Sequence, residues 1–224
     1  MPDLTLIPSK KKISQTTEKG SERVEEILQK SILIFASEGY AGLTMRRVAS
    51  ELGMSLSNLQ HYYRSKDLLV EAMLLNILNT FQSKIDSIVN AMDKSSRVEQ
   101  LKSIVNMFFD ELSNGVINNV FFEIWALAGR NEFASALTNR LLARERKAMF
   151  QLVHGLVPDI SDEEAMQRSM VIVGQLFGSM AFRPHKMTKR ADVLKLRTSL
   201  RETILSIATA PASAAARATF AKSQ

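Results

Sequence analysis

Residues 44–66 read TMRRVASELGMSLSNLQHYYRSK and concentrate groups suited to a polyanion. Two short helical stretches meet there at a tight turn around 53–55. That is the layout of a helix-turn-helix, whose second helix enters the DNA major groove. The second stretch carries Leu56, Ser57, Gln60 and His61 on its outer face. A glutamine pairs with adenine through two hydrogen bonds, and a leucine contacts a thymine methyl. Thr44 and Ser55 open the two stretches, where backbone N–H groups lacking partners attract anions. Arg46, Arg47 and Lys66 fall in the first turns of helices, where a cation opposes the macrodipole by about 0.3–1 kcal/mol. A phosphate lying beside both the N–H groups and the cation removes that conflict. The plainer alternative is a set of exposed cations screened by water and salt. Tyr62 and Tyr63 are adjacent, so at most one points inward. Tyr63 is assigned to the core and Tyr62 to a phosphate.

Other chemistries lack their residues. The chain has no cysteine, which excludes disulfides, thiolate metal sites and cysteine nucleophiles. Its three histidines, His61, His154 and His185, stand far apart with no ligand spacing around them, so no metal is expected. There is no Gly-rich phosphate loop and no G-x-S-x-G motif. No catalytic residue is therefore assigned, and the chain is not expected to be an enzyme.

The elements that must position these groups are helical. Prolines occur at 2, 8, 158, 184 and 211, leaving a proline-free stretch of 9–157 with apolar residues three and four apart. The spacing predicts a first helix over 21–39, stopped by Gly39, and a second opened by Thr44 that ends near Gly53. A third follows Ser55 to 62 or 63. A long fourth starts at 65–66 and carries Leu74, Leu78, Phe81, Ile85, Ile88 and Met92 on one face. Further helices are predicted near 98–113, 116–129, 132–156, 162–182 and 191–208. Ser161 and Glu164 form a capping box for the eighth. The fold class is all-α. Tails at 1–19 and 210–224 look flexible, with a helix-turn-helix domain over 20–66 and a larger helical domain over 67–209.

Length and charge agree. The 224 residues are 46% apolar, enough for a sizeable core. The net charge is +6, with ten Lys or Arg against seven Asp or Glu in residues 1–66. That balance favours a polyanionic partner without proving one. The longest apolar run, 169–182, is interrupted by Gln175 and falls short of the roughly 18 residues a membrane helix needs. The N-terminal residues do not read as a signal peptide. A soluble, cytoplasmic protein with no membrane partner is expected.

The segment from Ser21 to Met73 resembles the DNA-binding domain of the TetR family of bacterial transcription repressors. The resemblance rests on Phe35-Ala36-Ser37-Glu38-Gly39-Tyr40, Thr44, Val48-Ala49, Leu52-Gly53-Met54-Ser55, Leu59, Tyr62-Tyr63 and Lys66-Asp67-Leu68-Leu69. Two positions depart from the family pattern. Ser57 stands where Gly or Pro is common, and Gln60 where Tyr is common, so the operator sequence does not carry over. The family's phosphate-contacting positions map to Thr44, Tyr62 and Lys66.

The resemblance implies a homodimer that binds a double-stranded DNA operator and is released by a small-molecule effector, with no resident cofactor. It also implies a helical C-terminal domain for effector and dimer contacts. Read physically, Phe108, Phe109, Phe121, Phe122, Trp125, Phe177 and Met180 offer an effector-binding interior, with Glu123 and Arg130 as polar groups nearby. Any of these aromatics can equally be plain core. Gly174 and Gly178, four apart in a helix, let another helix approach. With Leu196, Leu200 and Ile204 they are read as a dimer interface, against the alternative of close packing inside one subunit. An architectural DNA-binding protein without an effector shares the N-terminal features and stays as the alternative.

Overall fold

The computed structural model describes residues 18–92, 97–182 and 190–212. The described residues are helical, in the order α1 (Glu18–Gly42), α2 (Met45–Glu51), α3 (Leu56–Tyr62), α4 (Lys66–Ala91), α5 (Arg97–Leu112), α6 (Gly115–Ala128), α7 (Glu132–Val153), α8 (Asp162–Ser179) and α9 (Arg190–Thr209). A 3₁₀ turn, Met180–Phe182, follows α8. Residues 1–17, 93–96, 183–189 and 213–224 lie outside the described residues, and with them most of both segments expected to be flexible tails.

Two compact units divide the chain between Met73 and Leu74. The sequence reading placed that boundary after Lys66. It falls later because the first turns of α4 bury Leu69, Val70 and Met73 in the first unit. Ile27, Leu28, Ile32, Ile34, Phe35, Leu43, Val48, Ala49 and Leu59 are also buried in this unit. Gly39 breaks α1 with φ 70°, a left-handed conformation that favours glycine. A last helical turn follows it to Gly42. At the end of α2, the Met54 N–H donates to the Ala49 carbonyl (3.0 Å) and the Gly53 N–H to the Ser50 carbonyl (3.1 Å). This is a Schellman closure, and it needs Gly53 at φ 60°. A Cβ at Gly53 would meet nothing within 4 Å, so the demand is conformational rather than spatial.

In the second unit α7 packs against α6 and α8, and α9 against α5 and α8. The core includes Leu78, Phe81, Ile104, Phe108, Phe121, Ile124, Leu137, Ile172, Leu176 and Ile204. Side-chain oxygens of Asn114, Asn131 and Ser161 cap α6, α7 and α8 by accepting from Val116 N, Ala134 N and Glu164 N. The fully buried Asn118 donates to the Met180 carbonyl (3.1 Å), tying α6 to the turn after α8. Residues 210 and 211, expected to open a flexible tail, are held in place. The buried Arg168 donates to the carbonyls of Ala210 (2.6 Å) and Pro211 (2.9 Å), so the chain just past α9 is pinned. Arg168 also pairs with Glu164 at 2.5 Å, which offsets the cost of burying its charge.

Candidate functional site

α3 commits one side chain fully to the core, Leu59. With seven residues on two turns, the rest of its circumference faces outward. Ser57, Gln60 and His61 are exposed, and Leu56 and Tyr62 are half-buried. Thr44 and Ser55 are exposed at the helix starts. Their hydroxyls accept from Arg47 N (3.1 Å) and Asn58 N (3.2 Å), so each caps its helix. The Ser55 and Ser57 hydroxyls lie 3.1 Å apart. Capping consumes one N–H per helix and leaves the earlier N–H groups pointing outward, where an anion is welcome. The His61 ring stands edge-on to Tyr62 at 5.9 Å. Tyr63 is half-buried. Its burial, then the charge of Glu25, push its phenol up to about 12.

The three cations named from the sequence are not equivalent. Arg47 pairs with Glu38 of α1 (3.2 Å) and with Glu51 of its own helix (3.1 Å). Glu51 also faces Lys30 at 3.6 Å. Arg47 thus joins α1 to α2 through two acids that neutralise it. Lys66 donates to the Tyr40 carbonyl at the end of α1, and its ammonium lies 3.6 Å from the Tyr40 ring centroid. Burial lowers its pKa, with Asp67 opposing. The Tyr40 hydroxyl donates to Asp67 (2.5 Å), and burial followed by that acid raises the phenol to about 12. Arg46 is exposed and has no ion-pair or hydrogen-bond partner among the described residues. Arg46 is therefore the cation whose charge the protein itself leaves unanswered, a difference that residue type does not reveal.

In the second unit a slender void lies among Ile85, Phe108, Glu145, Met149, Val173 and Phe177. Of about 320 Å³ between atoms, nearly all is open solvent or too thin to admit water. Of the aromatics named from the sequence, Phe108 and Phe177 line it. Trp125 and Phe177 line a neighbouring outer groove with Arg146, Met170 and Gly174. Phe121 is buried against Trp125 (5.9 Å) and Phe177 (5.6 Å). Phe109 is buried beneath the Arg197 guanidinium, 5.5 Å from its centroid. Phe122 is exposed, and Met180 is buried. The void thus gathers two of the seven.

Glu145 was not foreseen, although a signal was present. Leu137, Leu141, Glu145, Met149 and Val153 recur every four residues and are all buried, so an acid interrupts an apolar stripe. Glu145 is 8% exposed. Burial lifts its carboxyl to about 7, with Arg144 pulling it partly back.

Among the residues read as a dimer interface, Gly174 and Gly178 are exposed, and a Cβ on either would meet nothing within 4 Å. They do not serve close packing inside the subunit. Leu196 and Leu200 are half-buried. Ile204 requires correction: it is 0% exposed, packed inside its own subunit because it lies on the inward face of α9. Met170 and Val171 of α8 and Leu194 of α9, all exposed, were missed.

No helix among the described residues is long and apolar enough to cross a membrane. Among them, no cluster of three or more histidines and acids suited to a metal forms.

A capped two-helix turn with an outward α3 face of hydrogen-bonding groups, joined to a larger helical unit, defines a helix-turn-helix DNA-binding protein. Residues 27–73 match the bacterial regulatory proteins of the tetR family. An uncharacterized HTH-type transcriptional regulator in the dhlA 5′ region of Xanthobacter autotrophicus is 30% identical over 159 residues, 69% of this chain and 76% of that protein. The chain belongs to the TetR family, and it is a DNA-binding transcriptional regulator. The fold is shared with a TetR transcription regulator from Haloarcula marismortui (TM-score 0.65, 22% identity, 85% of this chain and 98% of that one). It is shared also with a transcriptional regulator from Saccharomonospora viridis solved in complex with choline (TM-score 0.63, 18% identity, 82% and 96%).

Proposed function

We propose that this regulator is a homodimeric repressor that a small-molecule effector releases from its operator, and that it catalyses no reaction. The observation that carries the reading is the α3 face, where Leu56, Ser57, Gln60 and His61 stand outward around a single buried Leu59. Tyr62, Thr44, Ser55, Arg46 and Lys66 surround that face as phosphate contacts. Arg47 serves through its clamp between α1 and α2. The exposed stripe Met170, Val171, Gly174 and Gly178 of α8, with Leu194 of α9, supports dimerisation through these two helices. Two heads related by a two-fold axis read two half-sites of a near-palindromic operator. An effector releases them only if it binds the two head spacings with different affinity. The structural neighbour solved in complex with choline supports a small-molecule effector. An architectural DNA binder draws support only from the slenderness of the void.

A DNA-binding titration on selected genomic fragments tests the reading. Gln60→Ala is expected to cost about 1–3 kcal/mol on the preferred site and to relax preference at one base position. Arg46→Ala is expected to weaken binding to all sequences alike and to reduce the salt-dependence slope by about one, with thermal stability unchanged. If Gln60→Ala leaves both affinity and preference as they were, α3 does not read the bases.

A further inference from the structure

We propose that Tyr40 is a positioning residue for DNA binding, holding the Lys66 ammonium at the start of α4 where a backbone phosphate meets it. This rests on the reading of Lys66 as a phosphate contact and adds the residue that makes the contact effective. Tyr40 is half-buried and lies between the Gly39 break and the end of α1 at Gly42. Carbonyls in a last helical turn lack intrahelical partners and carry partial negative charge. One of them, the Tyr40 carbonyl, accepts a hydrogen bond from Lys66 Nζ. The same ammonium lies 3.6 Å from the centroid of the Tyr40 ring. The carbonyl and the ring face of one residue thus grip a cation 26 positions along the chain. Arg47 offers the contrast, because Glu38 and Glu51 neutralise it. Lys66 is held by a neutral carbonyl and a neutral ring, so its positive charge stays available to an anion.

Each part of this grip favours a phosphate contact. A lysine side chain is a long flexible stem, and fixing its charge on a ligand costs rotamer freedom. Tyr40 imposes that restriction in the folded chain, before DNA arrives, so less is lost on binding. An ammonium has three N–H donors, of which the Tyr40 carbonyl takes one. The others remain for phosphate oxygens. The ring displaces water from one side of the charge, which strengthens its attraction to an anion. Burial accordingly lowers the Lys66 pKa, with Asp67 opposing. Asp67 adjoins Lys66 in the chain and is the acid placed to compete for it. The Tyr40 hydroxyl donates to Asp67 Oδ1 at 2.5 Å and so engages that competitor. Burial and then Asp67 raise the Tyr40 phenol to about 12, so it keeps its proton and goes on donating at neutral pH.

A double-mutant cycle on DNA binding tests the proposal, with the full chain and selected genomic fragments. Lys66→Ala is expected to weaken binding to all sequences and to reduce the salt-dependence slope by about one. Tyr40→Leu is expected to lower affinity at least about fivefold in the wild-type background and less than about twofold in Lys66→Ala, because its effect passes through the lysine. A tyrosine that served the fold alone would cost the same in both backgrounds. Tyr40→Phe keeps the ring and the carbonyl and is expected to stay within about threefold of wild type. Urea midpoints show which variants are folded. Should Tyr40→Leu fail to fold, Tyr40→Phe with one, two and three ring fluorines keeps the shape while draining negative charge from the ring face. DNA affinity is then expected to fall stepwise along the series. Equal losses from Tyr40→Leu in the two backgrounds overturn the role of Tyr40 and leave Lys66 as a phosphate contact. Equal affinity across the fluorinated series does the same. Unchanged affinity and salt slope in Lys66→Ala overturn the phosphate reading of Lys66 and the proposal with it.

Discussion

Leu59→Ala is expected to lower the stability of the N-terminal unit by about 2–5 kcal/mol and to abolish operator binding with it. Leu59 is 0% exposed and is the one α3 side chain wholly inside the core. Truncating it removes apolar contact and leaves a cavity that seven residues of helix cannot close. A helix of this length has no stability of its own in water, so its orientation depends on that anchor. Native domains are stable by only about 5–15 kcal/mol, so a loss of this size removes a large share of the folded population. Denaturant unfolding and a DNA titration check the result together. Leu56→Ala, at a half-buried outward position, is the contrast: it should leave the unfolding midpoint nearly unchanged. If Leu59→Ala unfolds with the wild-type midpoint, α3 is held by something other than this side chain.

The second large effect concerns Glu145 and pH. Its folded carboxyl is raised to about 7 from an ordinary value of 4.5, chiefly by burial. The folded state therefore binds the proton more tightly than the unfolded chain does. Stability from this site is fully present below about pH 4.5 and is lost as pH rises through about 7. The span corresponds to about 3 kcal/mol as an upper figure, since local relaxation and water entry reduce it. Glu145→Gln keeps the shape without the charge. It should match wild type near pH 4.5 and exceed it in stability above pH 7. Tyr40 and Tyr63, raised to about 12, titrate outside this window. Urea unfolding midpoints measured across the window decide the matter, because every other titrating group cancels in the difference between the two chains. Parallel midpoint curves for the two chains would show that Glu145 is solvated and ordinary.

Both effects arise at positions of different legibility. The burial of Leu59 was readable, because it lies opposite four polar or outward residues on a short helix. The burial of Glu145 was readable only as an acid in an every-fourth apolar stripe, a pattern that a solvated helix face can also produce by chance. Ile204 shows the opposite error: its type and spacing suited an exposed interface as well as a core, and only its neighbours in α5 and α8 put it inside. The exposed Met170 and Val171 were hidden by the same ambiguity, since apolar residues on α8 read as core until the packing shows which side is covered.

Helix starts and stops needed no tertiary knowledge. Thr44, Ser55 and Ser161 accept from an N–H three residues on, and Gly39 and Gly53 take left-handed backbone, all within a few residues of chain. Such bonds form wherever the local order of residues permits, so composition and order along the chain are enough to place them. The allocation of charge was different. Arg46 and Arg47 are neighbours of the same type, yet one is unpaired and the other is clamped by Glu38 and Glu51, while Lys66 rests on Tyr40. Electrostatic and packing energies depend on distances through space, and residues 26 apart in sequence become partners only once the helices have folded together.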